Sequence, residues 1–430
     1  MTMITRRTVL RLAGAVAAGP VLLGACTPRR PPAAAAPSAS RPRPADKLLV
    51  ETSRGLAIVD VSASRTLVEP RPGVVAYDGS SFATTAPAAG GEGTRVEILG
   101  FGGEPRYGTD IAGTFSARAV APGGLRVALV AESGRAAADT YRPGGRRETT
   151  IVIVDGSGER HRLTVPGCVE PEAFADGREA MYALDYLPPL APDRYRVRGL
   201  DLTTGRLAPL VTRDKRVIPS GAEEEMRGQG RQAVYSANRH MLFTLYTHQP
   251  DHEHTRDLVA ARPGRPDVHA FVHSLSVDMG FAYCVDLPAP FGTGPVEGYA
   301  IALTPPGDDP VVVDGTSGTV ARIDGELLTV LSTAEFPGAG GGTVSALLAE
   351  GGARLIVASG TAIHLLRTES LSTVRRWTLA APARGMALTS DGARLWVGRP
   401  GGAVAYDMAS GREVATVPVP GLAAVAAATT

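Results

Sequence analysis

Histidine is concentrated in one short stretch of the chain. Five of the eight histidines fall within 26 positions, namely His248, His252, His254, His269 and His273. Acidic residues lie among them, namely Asp251, Glu253 and Asp257. Imidazoles together with carboxylates are the ligands that bind zinc, copper or nickel in proteins. This stretch is therefore a candidate transition-metal site.

The spacing of the histidines limits which of them can share one ion. His269 and His273 belong to a largely apolar segment that is typical of a strand. Four residues of a strand span about 13 Å, which is too far for a single metal ion. At most one of these two histidines is therefore expected in the same site.

A hairpin would bring several of the other histidines together. We predict that 241–248 pairs with 268–275 and that 249–267 forms a long loop. The loop base would then place two histidines side by side, and a loop histidine could fold back onto them. The predicted ligands of a zinc or copper ion are therefore His248, His252, His254 and His269. The alternatives are a pH-responsive patch or ordinary surface histidines.

Apart from Cys26, the chain contains two cysteines. Cys168 and Cys284 fall on predicted strands in different parts of the chain. A disulfide requires Cα atoms within about 7 Å, which neighbouring inner strands would permit. The two interpretations are a Cys168–Cys284 disulfide and two buried free thiols.

Outside the histidine stretch, the sequence has few features of an enzyme. Neither lysine, Lys47 or Lys215, follows glycine, which excludes a phosphate-binding P-loop. The G-x-S-x-G, H-E-x-x-H, C-x-x-C and G-x-G-x-x-G motifs are also absent. The acidic run 223–225 lies between glycines, and we expect it to form a solvated loop or short helix. These observations favour a binding protein over an enzyme.

The first 25 residues differ in composition from the rest. Arg6 and Arg7 precede the uncharged, Ala- and Gly-rich segment 12–25. As a helix it would reach about 21 Å, short of a hydrocarbon core of about 30 Å, so a permanent span is not expected. The arginine pair resembles a twin-arginine export signal, and 22–26 resembles a bacterial lipobox. The resemblance implies cleavage before Cys26 and attachment of a diacylglycerol to its sulfur.

The next segment, 26–45, is rich in proline, alanine and arginine and contains no acidic residue. Proline density favours an extended linker, and two acyl chains anchor a protein stably. The expected organisation is a signal peptide at 1–25, a lipidated linker at 26–45 and one folded domain at 46–430. The expected location is the outer face of the cytoplasmic membrane.

The segment 46–430 predicts an all-β fold. Its apolar residues form runs of four to seven, separated by Gly, Pro, Asp and Ser, with almost no helical periodicity. Such a pattern is typical of a sandwich, a barrel or a propeller. A polar turn between two apolar runs recurs at Asp78, Gly123, Asp176, Asn238, Gly307, Gly351 and Asp391. The shorter intervals match the roughly 40 to 45 residues of a four-stranded propeller blade.

A second turn supports the propeller interpretation. The segments 201–206 and 407–412 are nearly identical Asp-to-Arg turns. The unit 387–414 resembles a YVTN-type β-propeller blade, and the resemblance is good over 344–420, fair over 117–212 and poor over 213–295. It implies a single β-propeller of four-stranded blades and no particular chemistry.

The number of blades depends on how the chain ends meet. Seven turns indicate seven blades. The segment 48–67 contains three further apolar runs without an inner strand, and the apolar tail 422–428 could supply that strand. A split blade would remove exposed sheet edges and give eight blades. Seven blades with a terminal hairpin is the alternative.

The net charge of the predicted folded segment differs in sign from that of the two segments before it. The net charge is +1, yet 1–25 carries three arginines and 26–45 four, with no acidic residue in either. The segment 46–430 therefore has a net charge of −6, which argues against nucleic-acid binding. We expect a monomeric, membrane-anchored binding or scaffold module, with another envelope protein as a possible partner. The alternative is an exported metal- or cofactor-dependent enzyme with its site in the central channel or the histidine hairpin.

Overall fold

The computed structural model describes residues 44–430, apart from 133, 135–136, 138–140, 264–267, 305–308 and 338–341. The described residues form 32 strands in eight four-stranded antiparallel sheets. The sheets are blades of a ring, and inner strands of successive blades contact one another. The chain is therefore an eight-bladed β-propeller. The predicted export arginines Arg6 and Arg7 and the predicted lipidation site Cys26 lie outside the described residues.

The strands are numbered β1–β32 along the chain. Blade 1 contains β1 (Lys47–Thr52), β2 (Gly55–Asp60), β3 (Arg65–Arg71) and β32 (Leu422–Thr429). Blade 2 contains β4 (Gly73–Val75), β5 (Ser81–Pro87), β6 (Thr94–Gly100) and β7 (Pro105–Ile111). Blade 3 contains β8 (Phe115–Val120), β9 (Arg126–Ala131), β10 (Glu148–Asp155) and β11 (Gly158–Pro166). Blade 4 contains β12 (Cys168–Phe174), β13 (Ala180–Leu187), β14 (Arg194–Asp201) and β15 (Leu207–Pro209).

The second half of the ring follows the same plan. Blade 5 contains β16 (Gln232–Ser236), β17 (Met241–Tyr246), β18 (Phe271–Ser276) and β19 (Ala282–Asp286). Blade 6 contains β20 (Tyr299–Leu303), β21 (Pro310–Asp314), β22 (Thr319–Asp324) and β23 (Thr329–Glu335). Blade 7 contains β24 (Val344–Ala349), β25 (Arg354–Ser359), β26 (Ala362–Arg367) and β27 (Thr373–Thr378). Blade 8 contains β28 (Met386–Leu388), β29 (Arg394–Arg399), β30 (Gly402–Asp407) and β31 (Glu413–Pro418).

Helix is rare in the described residues. There is one short α-helix, α1 (Thr255–Val259), in the loop between β17 and β18. Three short 3-10 turns lie at Pro122–Gly124, Val296–Gly298 and Glu350–Gly352. None of the helices in the described part of the chain has the length and apolar character needed to cross a membrane.

The recurring turns occupy equivalent places in the blades. Six of the seven predicted turns join the first two strands of blades 2, 3, 4, 5, 7 and 8, and Gly307 lies outside the described residues. The two Asp-to-Arg turns join the outer two strands of blades 4 and 8. The Asp201 carboxylate accepts backbone N–H groups of the next residues, and Gly205 adopts φ = 72°. These local requirements explain why turn residues revealed the repeat.

The ring closes by pairing the two ends of the described chain in one sheet. β1 pairs with both β2 and β32, so β32 supplies the inner strand of blade 1. The eight-blade interpretation is confirmed, and the seven-blade alternative is wrong. Beside this closure, the buried Asp46 carboxylate accepts hydrogen bonds from Arg394 and Trp396 of blade 8.

The core lies between the faces of neighbouring blades. In blade 6, β20 and β21 are almost entirely buried, whereas the outermost strand β23 alternates between exposed and half-buried side chains. Valine, leucine, isoleucine and alanine dominate these interfaces. Inner strands buried on both faces explain the continuous apolar runs in the sequence.

The predicted histidine hairpin is present in blade 5. β17 pairs with β18 in antiparallel register, with Tyr246 opposite Phe271. Both strands are shorter at the loop end than the predicted segments, so the connection runs from 247 to 270 and contains α1. The hairpin prediction is confirmed.

Candidate functional site

Polar side chains are buried together beside the β17–β18 hairpin of blade 5. They come from the connection before β16, from the hairpin loop, and from β18 and β19. We call them the Glu224 cluster, and its members are Glu224, His252, His254, His273 and Cys284. Each of these residues is at most 9% exposed. A polar cluster at this depth requires partners that compensate for the loss of water.

The side chains of the cluster surround the Glu224 carboxylate. Nε2 of His252 and Nδ1 of His254 lie 3.7 and 3.5 Å from Oε2, and Nε2 of His273 lies 3.5 Å from Oε1. The Cys284 Sγ lies 3.4 Å from both oxygens. None of these three imidazole nitrogens has a hydrogen-bond partner in the structure. A buried nitrogen without a partner costs about 1–3 kcal/mol, so three together indicate a further ligand.

The spacing of these atoms matches the donor spacing of a metal site. In a tetrahedral zinc site with ligands about 2.1 Å from the ion, neighbouring donor atoms lie about 3.4 Å apart. The carboxylate-to-donor distances in the cluster are 3.4–3.7 Å. Donor atoms of Glu224, His254 and Cys284 all lie within 4.8 Å of one another. The residues present therefore fit a transition-metal ion.

A second layer of contacts orients His254. Its Nε2 lies 2.6 Å from an oxygen of Asp286, whose other oxygen is 2.7 Å from the Arg256 guanidinium of α1. Burial lowers the pKa of His254, but Asp286 and Glu224, one beside each ring nitrogen, outweigh this effect and raise it. Loss of the Nδ1 proton would leave a lone pair for a metal ion beside Glu224. His252 is held by stacking on Phe271, with ring centroids 4.4 Å apart. Both loop imidazoles are therefore held in place by their neighbours.

Burial and charge shift the ionisation of the cluster in opposite directions. Burial raises the pKa of Glu224, but the surrounding imidazoles of His252, His254 and His273 outweigh this effect, so the pKa falls well below its usual range. Burial lowers the pKa of His273 to about 4. Burial, together with the Glu224 charge, holds the pKa of the Cys284 thiol well above its ordinary value. An ionised carboxylate and a neutral imidazole are the forms that bind metal, and a bound dication favours the thiolate.

The structure brings together two of the four predicted ligands. His252 and His254 belong to the cluster. His248 lies apart from it, with Nε2 2.7 Å from the Gly294 carbonyl and Nδ1 2.8 Å from the Thr247 hydroxyl. The half-buried His269 also lies outside the cluster. The structure therefore does not bring His248 and His269 into the Glu224 cluster, because the loop histidines pack on Phe271 and reach Asp286 of β19.

Three members of the cluster were absent from the predicted ligand set. His273 and Cys284 are directly opposite each other in the β18–β19 pairing, and a predicted pairing register for these two strands could have found them. Glu224 was expected in a solvated run, and that expectation is wrong for this residue. Its two neighbours are half-buried while Glu224 itself is buried. Nothing in the local sequence distinguishes the middle glutamate from the other two.

The two cysteines do not form the disulfide that was considered. Cys168 and Cys284 are both free and buried. The Cys168 thiol contacts the Gly144 carbonyl at 3.7 Å, whereas the Cys284 thiol faces Glu224. Each thiol therefore packs against its own surroundings, as the alternative of two buried free thiols predicted.

The central channel, considered as an alternative location for a site, contains a cavity. The cavity has a volume of about 410 Å³ and is lined by residues of blades 1 and 5–8 and by Tyr141 of the β9–β10 connection in blade 3. Arg231, Arg384 and Glu51 contribute charged groups to its wall, while β32 contributes mainly small alanine side chains. This wall does not gather metal-ligating side chains as the Glu224 cluster does.

Comparisons with known proteins extend to the fold alone. No protein-family model matches the chain, and no curated protein matches it. The structure of apo AztD from Citrobacter koseri is 10% identical, with a TM-score of 0.53, and covers 89% of this chain and 97% of that one. A second structure of Citrobacter koseri AztD is 11% identical, with a TM-score of 0.52 and the same coverage. Both are similar to this chain as β-propellers.

A more distant match is the dihydro-heme d1 dehydrogenase NirN in complex with DHE. It is 14% identical, with a TM-score of 0.45, and covers 88% of this chain and 74% of that one. This similarity is too low to support a conclusion about the site. The fold and the geometry therefore define the class, an eight-bladed β-propeller with a buried His–Glu–Cys cluster in one blade.

Proposed function

We propose that this protein binds a transition-metal ion, zinc in particular, in the Glu224 cluster of blade 5. The observation that carries the proposal is the convergence of three unpartnered, buried imidazole nitrogens on one carboxylate beside a thiol. Histidine, cysteine and glutamate are the established ligands of protein zinc. Imidazole and thiolate also suit copper, so both ions belong in the test.

The burial of the cluster favours binding over catalysis. Catalytic zinc sites keep an open position for water or substrate, whereas structural and carrier sites are closed by protein ligands. The five side chains are buried, and the nearby Thr255 backbone N–H also points to Glu224 at 3.4 Å. A closed site agrees with the absence of the usual catalytic motifs from the sequence. The ion would join the hairpin loop, the connection before β16 and two strands into one unit.

Metal analysis of the full chain tests this proposal. The protein is purified in detergent without a histidine tag, incubated with zinc or copper, and freed of unbound ion. We expect about one equivalent of bound zinc and loss of at least about 100-fold in affinity for His254→Ala. His269→Ala is the matched control, because it removes a histidine of the same loop outside the cluster and should bind as the wild type does. Less than about 0.1 equivalent in the wild type overturns the proposal.

We also propose that the propeller is an exported lipoprotein on the outer face of the cytoplasmic membrane. Support comes from the paired Arg6 and Arg7, the lipobox ending at Cys26 and the proline-rich linker. The twin-arginine pathway carries folded proteins, which suits a domain whose metal site is closed inside the fold. The YVTN-type repeat proposed for the blades fits the same setting. A monomer that meets another envelope protein, and not nucleic acid, agrees with the acidic domain.

Two variants test this address. Cys26→Ser should move the protein from the membrane fraction to the soluble fraction, and complete retention in membranes would exclude the lipid anchor. Replacement of both Arg6 and Arg7 by lysine should block export. Unchanged export of that variant would mean that another pathway is used.

A further inference from the structure

Glu224 reaches the cluster from a strap that lies along the free edge of blade 4. We define the strap as residues 218–226, in the connection between β15 and β16. The short strand β15 pairs only with Arg198–Leu200, so the first half of β14 has an open edge. The strap covers this edge, and Tyr195 and Met226 exchange two backbone hydrogen bonds of 2.9 Å. The strap therefore extends the blade 4 sheet toward the histidine hairpin of blade 5.

Side chains alternate along the end of the strap. Glu224 and Met226 point into the protein and are 9% and 0% exposed. Glu223 and Glu225 lie on the opposite face, where they meet arginine side chains of β14. Alternation is the geometry of extended backbone, in which successive side chains lie on opposite faces. A shift of the strap by one residue along β14 would turn the Glu224 side chain outward and bury Glu223 or Glu225 in its place.

Three arginines on β14 hold the two outer glutamates. Arg194, Arg196 and Arg198 occupy alternate positions and therefore lie on one face of the strand. Arg198 binds Glu223 through two hydrogen bonds of 2.8 and 2.5 Å, one to each carboxylate oxygen. Arg194 and Arg196 both bind Glu225. We call these residues the arginine ladder.

The arginine ladder reduces the repulsion among the three consecutive glutamates 223–225. Three consecutive carboxylates repel one another, and that repulsion would push the strap outward, away from a site that needs Glu224 inside. The ladder neutralises the outer two and leaves the middle carboxylate directed at the imidazoles. Paired, planar guanidinium contacts also fix which residues face β14. Glu224 reaches the cluster from the strap and His252 and His254 reach it from the hairpin loop, so a bound ion would be held by both segments.

We propose that Arg196 and Arg198 are positioning residues that hold Glu224 in the metal site and set the rate at which the ion leaves. This inference rests on the proposed metal binding, and it identifies the residues that would control the release of the ion. The ladder touches none of the imidazoles or the thiol. Its loss should therefore open the strap while the His–Cys ligands stay in place.

The test is the rate of zinc transfer from the loaded full chain to an excess of a chromogenic chelator. The double variant Arg196→Gln, Arg198→Gln should release zinc at least about ten times faster than the wild type, while the loaded protein still holds one equivalent. Arg162→Gln is the control, since it removes a more exposed Arg–Glu pair on β11 of blade 3, outside the strap and the cluster. A second variant, Glu223→Gln with Glu225→Gln, removes the same ion pairs from the strap and should release zinc equally fast.

A conservative variant separates positioning from general damage. Arg196→Lys with Arg198→Lys keeps both positive charges beside Glu223, Glu225 and Asp185 and should recover at least part of the slow release that the glutamine variant loses. Higher salt should speed release from the wild type and have little effect on the glutamine variants. If the wild type binds zinc but both ladder variants release it at the wild-type rate, the ladder proposal is overturned. If the wild type binds no zinc, the proposed metal site fails instead.

Discussion

Several carboxylates are buried in the described part of this propeller, and two of them, Asp46 and Glu224, have very different surroundings. Asp46, at the ring closure, accepts three hydrogen bonds of 2.8–2.9 Å from Arg394 and Trp396. Glu224, in blade 5, has its neighbouring donors and imidazole nitrogens at 3.4–3.7 Å. Asp46 is therefore saturated by the protein, while Glu224 is enclosed by groups that leave hydrogen bonds unmade.

The difference separates a carboxylate that stabilises the fold from one that agrees with the proposed metal site. A saturated ion pair gains nothing from a further cation and loses much when one partner is removed. When a buried carboxylate, imidazoles and a thiol lack full hydrogen bonding, the cost of their burial is offset only when a further ligand binds. Blade closure and metal binding are therefore expected to respond to mutation independently.

The largest expected effect is at the closure. Asp46→Ala leaves the Trp396 indole N–H and the Arg394 guanidinium without their acceptor, and should lower the free energy of unfolding by about 3 kcal/mol. Urea unfolding followed by tryptophan fluorescence measures this loss. Glu413→Ala is the control, because its 4.0 Å contact with Arg399 is exposed and should contribute less than about 1 kcal/mol. Equal losses in the two variants would contradict the structural role of Asp46.

Zinc should stabilise the wild type through the cluster. At a free concentration about 100 times its Kd, a bound ligand adds about 2.7 kcal/mol to the free energy of unfolding. The double variant His252→Ala, His254→Ala should lose this increment, as measured by urea unfolding with and without zinc. Asp46→Ala should keep the whole increment despite its lower baseline. An increment that disappears in Asp46→Ala would show that the two regions are coupled.

His364 of β26 is another buried polar residue that can be compared with Asp46 and Glu224. Both of its ring nitrogens lack hydrogen-bond partners, and its ring packs edge-on against Phe336. Burial, with a smaller effect of Arg376, lowers the pKa of His364 to about 4. With no converging ligands, this imidazole should only cost stability, so His364→Leu should gain roughly 1 kcal/mol at pH 7.

The same variant has a pH signature. The unfolded chain binds the His364 proton near pH 6.5 and the folded chain only near pH 4, so wild-type stability should fall as pH decreases through this window. The decrease should be smaller in His364→Leu, as measured by urea midpoints at pH 7 and pH 5. An unchanged slope would exclude His364 as its source.

A smaller effect than that of Asp46→Ala is expected for Glu224→Gln without metal. The contacts of Glu224 are longer than those of Asp46, so removal of its charge should lower the free energy of unfolding by less than the loss in Asp46→Ala, in the presence of a chelator. Zinc should then stabilise the variant less than the wild type. A loss as large as that of Asp46→Ala would mean that Glu224 is a structural ion pair.

Much of the architecture could be predicted from the sequence because its determinants are local. The turn at Asp201 needs an acceptor for nearby N–H groups and a glycine at positive φ, and the six consecutive residues 201–206 contain both. The β17–β18 hairpin likewise follows from two apolar runs and one connection. The eighth blade required only the recognition that strands at the two ends were incomplete.

The site could be predicted only in part. His252 and His254 stand in a histidine-rich loop, so composition alone pointed to them. His273 and Cys284 become neighbours through the register of β18 and β19, which composition does not specify. Glu224 is selected from three identical residues by arginines about 30 positions earlier, on another blade.

The sequence by itself determined the repeat and the turn positions, because each depends on residues close in the chain, and it left ring closure by a split blade as one of two alternatives, which the pairing of β1 with β32 decided. The tertiary structure decided which polar groups share one buried space. That choice depends on strand register and on which face of an extended segment is held by opposite charge. These interactions are non-local, and they place the middle residue of a run of glutamates that looks solvated inside a buried cluster of histidines and a cysteine.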